Sequence, residues 1–131
     1  MSFNSLRNRI FLLSSFGIIV GGVVGAQLGG FADSGWGDLI GAITGMWLGG
    51  PIFALLTFQV FIGKLDFPIN LLRARLSNLI LTFFTATVLL SIFAAAVRIS
   101  AGSILLVLVL IIANLLLSYF NLVATLRIAK K

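Results

Sequence analysis

The sequence predicts an all-α integral membrane protein. Four transmembrane helices would form an antiparallel up-down bundle, with a glycine-zipper hairpin made by the first two. Three observations carry that prediction. The first is composition: 60% of the 131 residues are hydrophobic and 9% charged, with a mean hydropathy of +1.22. A water-soluble domain carries roughly 25% charged residues, and a chain this short could not hide so much apolar surface from water. The second is four apolar runs, at 10–31, 37–62, 76–97 and 103–126, each longer than the ~20 residues that cross a bilayer as a helix. Apart from Asp38 at the head of the second run, none contains an ionised side chain, and none alternates as a lipid-facing barrel strand would. The third is a pair of glycine rows: Gly17, Gly21, Gly25 and Gly29, then Gly37, Gly41, Gly45 and Gly49.

The rows give the first two spans their relation. A step of four residues advances about 400° around a helix, so each row is a shallow groove climbing one face. Each glycine inside a helix loses roughly 0.5–1 kcal/mol against alanine. Eight of them make sense as an interface where close packing offsets that loss. Between the rows lies Phe31-Ala32-Asp33-Ser34-Gly35-Trp36, a short polar loop with an aromatic at its membrane edge. Residues 21–30 also align with 41–50, sharing four glycines and a leucine, which the requirements of glycine packing alone explain. The first run is read as a retained span and not a cleaved leader, because the glycine row continues through Val24-Gly25-Ala26. Ser14 and Ser15 in this span are expected to bond back to carbonyls one turn earlier.

Gly49-Gly50-Pro51 falls inside the second span. Proline there lacks an N–H and crowds the carbonyl four residues back, so Gly50 and Pro51 are a candidate hinge, from a kink to a full break. Trp47 lies too deep for an interfacial belt and reads as bulk filling space beside the hinge. The connection at 63–75 is the richest in charge, and Asp66 is expected to cap a short interfacial helix with Pro68 in its first turn. The third span carries Asn78, Thr82 and Thr85 on one face, and the fourth Asn114, Ser118, Asn121 and Thr125. Run antiparallel, the rows meet as a hydrogen-bonded seam, with Asn78 near Asn121 or Thr125 and Thr85 near Asn114. A tight turn at 100–103, beside Arg98, joins the two spans.

Charge sets the expected orientation. Arg7, Arg9, Lys64, Arg73, Arg75, Arg127, Lys130 and Lys131 fall on one side and Arg98 on the other, which predicts cytoplasmic termini in a cytoplasmic or inner-type membrane. With a net charge of +6 spread around apolar runs and not in one patch, the expected partners are anionic lipid headgroups and not nucleic acid. The chain has no cysteine or histidine, and its acidic residues are Asp33, Asp38 and Asp66, all in loops or at span ends. That removes thiol chemistry, a nucleophile with its base, and an intramembrane carboxylate to carry a proton or sodium. The hairpin is similar at first glance to that of rotary-motor proteolipids, but they need a carboxylate in the second helix.

Neither a cofactor, a metal nor a catalytic role is expected. The function expected is a non-catalytic membrane protein, a small accessory or assembly subunit that packs against other membrane subunits or itself. The alternative is a small homo-oligomeric channel or transporter using the Pro51 break or the polar seam.

Overall fold

The computed structural model describes residues 1–33, 35–97 and 104–130. The turn expected at 100–103, Arg98 beside it, Ser34 and Lys131 lie outside the described residues. The chain forms four helices, α1 (Phe3–Ala32), α2 (Gly37–Phe61), α3 (Leu71–Val97) and α4 (Ile104–Ala129), with a 3₁₀ turn at Ile62–Lys64. Among the described residues there is no strand, only an isolated bridge between Ile69 and Lys130.

All four helices are long and apolar enough to cross a membrane, and between 22% and 28% of each apolar window is buried inside the molecule. The remainder looks outward. Phe31 is 89% exposed, and Leu12, Ile19, Leu28, Phe83, Phe84, Ile104 and Leu105 are exposed as well. A continuous apolar exterior of this extent marks a surface that meets something other than water.

Helix ends depart from the apolar runs. α1 begins ahead of its run because Ser2 caps it, its hydroxyl accepting from the Ser5 N–H at 3.3 Å, so Arg7 and Arg9 sit on the helix. α3 begins at Leu71 under Asn70, whose side-chain oxygen accepts from Arg73 N–H at 3.2 Å and whose carbonyl accepts from Ala74 N–H at 2.9 Å. The cap expected at Asp66 is therefore wrong, and no helix forms over 65–70. Pro68 disfavours the helical region for Phe67 before it, while Asn70 stands directly before the residues that can propagate a helix.

Asp66 instead ties the chain together. Its carboxylate pairs with the Met1 amino group, its N–H donates to the Met1 carbonyl at 3.0 Å, and the Met1 amino group donates to the Lys64 carbonyl at 2.8 Å. Asn70 N–H donates to the Ala129 carbonyl at 2.9 Å. These bonds bring the start of α1, the connection after α2 and the end of α4 to one end of the molecule.

Around the ring α1 packs on α2, α2 on α3, α3 on α4 and α4 on α1, while α2 also reaches α4 across the middle. Two apolar clusters fill the interior. One lies beside the tied end, around Leu6, Ile10, Ala54, Phe58, Ile62 and Leu122. The other lies farther along, around Ile43, Trp47, Leu89, Phe93 and Leu110. Trp47 is 2% exposed and meets Phe93 with ring centroids 5.9 Å apart, so it does fill space, as its depth predicts. α2 runs unbroken through Pro51. The full break that the Gly-Gly-Pro motif allows does not occur, and Gly49, Gly50 and Pro51 are all buried among neighbours.

Candidate functional site

Two sets of residues singled out by sequence are brought together here, by opposite means. The first is the glycine rows. Taken in reverse order, Gly17 faces Gly49, Gly21 faces Gly45, Gly25 faces Gly41 and Gly29 faces Gly37. A Cβ placed on Gly21 would sit 2.8 Å from the Gly45 carbonyl carbon and 3.1 Å from the Gly49 Cα. One on Gly25 would sit 2.9 Å from the Gly41 carbonyl carbon, and one on Gly45 2.6 Å from that of Gly21. The atoms met are backbone, which has no rotamer to escape into, so the approach leaves no space for a side chain. At such distances Cα–H groups face carbonyl oxygens, a weak attraction that recurs at close helix contacts.

The second set is polar. Asn78 Nδ2 donates to Thr125 Oγ1 at 3.4 Å, one of the two partners its spacing offered, and Thr85 Oγ1 donates to Asn121 Oδ1 at 3.2 Å. The pairing of Thr85 with Asn114 is thus a correction: Thr85 bonds Asn121, and the Asn114 amide bonds within its own helix. Its Nδ2 donates to the Leu110 carbonyl of its own helix at 3.0 Å, and Ser118 Oγ donates to the Asn114 carbonyl at 2.9 Å. Asn114 points instead toward α2, where Gly50 makes way for it. A Cβ on Gly50 would lie 3.1 Å from Asn114 Oδ1 and 3.2 Å from Ile18 Cγ1. Gly50 and Pro51 thus form a notch facing α4 in a continuous helix.

Between the two apolar clusters these residues enclose a small polar pocket of about 10 Å³. Asn78, Thr82, Thr85, Asn114, Ser118 and Asn121 line it, and Ile10, Pro51, Ala54, Leu117 and Leu122 close it. Asn78 is 4% exposed and Asn114 1%. The side-chain oxygens of both are buried without a hydrogen-bond partner in the protein. An unsatisfied buried acceptor of this kind costs about 1–3 kcal/mol, so two of them in one pocket are a chemical feature and not only packing.

Several groups escaped the sequence reading. Ser15 bonds back to the Phe11 carbonyl at 2.8 Å, but Ser14, expected to do the same, is buried with its hydroxyl unpartnered. The Trp47 indole N–H is buried and unpartnered too. The apolar wall of the pocket carries no motif. The role of Gly50 had one available signal: it is the second glycine of a Gly-Gly pair, a step around the helix from the row that ends at Gly49. Gly22 repeats that geometry, since a Cβ there would meet Met46 Cγ at 2.8 Å.

At the tied end, Arg9 stacks over the Phe61 ring at 4.6 Å and Lys64 over the same ring at 5.3 Å. Arg73, Arg75, Arg127 and Lys130 are exposed. No protein-family model, curated protein or solved structure matches the chain.

Proposed function

We propose that the chain is a non-catalytic polytopic membrane protein, a small accessory or assembly subunit of a larger membrane complex. In this reading the glycine rows act as a zipper that locks α1 and α2 as an antiparallel hairpin, and the polar seam holds α3 to α4. Both termini lie on the cytoplasmic side of a cytoplasmic or inner-type membrane, with the exposed arginines and lysines against anionic headgroups. The partners are other membrane subunits or a second copy.

The observation that carries this reading is the size of the polar pocket. A volume of about 10 Å³ is on the order of one water-sized probe, which is no route for a solute, while the outer faces of the helices are apolar. A surface of that kind suits packing against other hydrophobic helices. A second reading, a small homo-oligomeric channel or transporter, draws on the two unpartnered amide oxygens, since amide and backbone oxygens can line a path.

Two measurements on the purified chain separate the readings. Affinity capture from native membranes is expected to retain one or more stoichiometric membrane proteins, and proteoliposomes are expected to show no ion or solute flux above empty vesicles. Saturable flux from a pure homo-oligomer would overturn the subunit reading.

A further inference from the structure

We infer that the groove between the connection at 65–70 and the last turns of α4 is a binding site for one anionic phospholipid. Arg127 and Lys130 hold its phosphate, and an acyl chain lies along α4. This deepens the headgroup contact proposed above and rests on the membrane reading of the chain, not on its role as a subunit. The groove has a volume of about 500 Å³, within the roughly 300–1,000 Å³ common for ligand sites. Phe67 and Ile69 from the connection and Val123 and Leu126 from α4 make its walls apolar, while Arg127 and Lys130 supply its charge.

Three observations favour a lipid as the occupant. The first is the order of the residues. Val123, Arg127 and Lys130 follow at steps of four and three on one face of α4, so the cations stand about 6 and 10 Å beyond Val123 along the axis. In the other direction the same face continues through Phe120 and Leu116, both exposed. A charged end followed by a long apolar track is the layout of a phospholipid, whereas an acidic peptide would bring backbone polar groups that need partners along its length. The second is charge. Among the described residues no carboxylate lines the groove, and Asp66, the acidic residue at this end, is already paired with the Met1 amino group. An arginine and a lysine without an internal counter-ion suit phosphate oxygens. The third is that the groove is held in shape. The Ile69–Lys130 bridge and the bond from Asn70 N–H to the Ala129 carbonyl at 2.9 Å fix the connection against α4. That bond also covers a carbonyl whose partial negative charge would oppose an anion at a helix C-terminus.

The test is native mass spectrometry of the full chain, released from micelles doped with equal amounts of phosphatidylglycerol and phosphatidylcholine of the same acyl chains. A single bound lipid is expected, with phosphatidylglycerol favoured by about tenfold through the two cations. Equal retention of both lipids, or of neither, leaves the groove to a protein partner or to no ligand and overturns the site. Arg127→Gln with Lys130→Gln is expected to abolish the preference; its survival overturns the site. Arg73→Gln with Arg75→Gln removes the same charge from exposed positions outside the groove and is expected to keep the preference. Equal loss in both double variants means general surface charge and overturns the site as well. Excess glycerol phosphate is expected to leave the lipid bound, and displacement would mean that the headgroup alone is recognised and overturn the lipid. Flotation with vesicles of the same two lipids separates the inference from the reading beneath it. A chain that fails to float overturns the membrane reading and this site together, whereas flotation without lipid preference overturns the site alone.

Discussion

The α1–α2 pair and the α3–α4 pair solve the same problem with different means. In lipid there is no hydrophobic force to push one apolar helix against another, so contact must come from close packing or from hydrogen bonds. α1 and α2 remove side chains until backbone meets backbone. α3 and α4 keep their side chains and place two hydrogen bonds, Asn78 to Thr125 and Thr85 to Asn121, in the contact. The difference teaches where each pair is vulnerable. A contact made by absence tolerates no addition, whereas a contact made by hydrogen bonds loses only the bond that is deleted.

The sharpest way to break the comparison is to fill the glycine contact. Gly45→Leu, whose Cβ would lie 2.6 Å from the Gly21 carbonyl carbon, is expected to cost about 3 kcal/mol or more by overpacking. Size-exclusion chromatography should then show little monodisperse protein; a normal yield and melting temperature would contradict backbone contact. A smaller and more discriminating pair is Gly21→Ala against Gly30→Ala. The first is expected to destabilise by about 1–3 kcal/mol. The second, whose Cβ meets only Asp38 Cβ at 3.8 Å, is expected to stabilise by about 0.5–1 kcal/mol through helix propensity. Thermal unfolding in detergent reads both, and equal signs would remove the distinction between facing and non-facing glycines.

On the other pair, Thr85→Val deletes the bond to Asn121 at nearly constant shape and is expected to lose about 0.6 kcal/mol. Equilibrium unfolding in mixed micelles checks this, and a loss as large as that of Gly45→Leu would mean the two pairs do not differ in kind. The smallest effect is expected for Ser91→Ala. Ser91 is exposed and its hydroxyl only returns to the Thr87 carbonyl at 2.9 Å, so a change within about 0.5 kcal/mol is expected.

Much of this was legible in residue spacing, and the misses have physical causes. Helix number and approximate extent follow from apolar length, because lipid forces every long apolar run to satisfy its own backbone. The ends do not follow, since Ser2 and Asn70 act through local capping that hydropathy does not register. The facing order of the glycines follows from a repeat with no side chains to perturb it. The partner of Thr85 does not follow, because spacing places Asn114 on a face of α4 without saying which neighbour that face meets. A glycine on a third helix settled that question. The pocket was invisible for the same reason: it needs α2, α3 and α4 at once, and no periodicity within one helix encodes a three-body meeting.

The placement of the two indoles has a practical sequel. Trp36 is 65% exposed at the head of α2, while Trp47, three turns further along that helix, is shut in beside Phe93. A chain carrying Trp36→Phe therefore holds one tryptophan, sited where α2 rests on α3. At this depth its emission would stay blue and shielded from iodide, but a brominated acyl chain would quench it only once the two helices part, giving a gauge of that separation that needs no label on the protein.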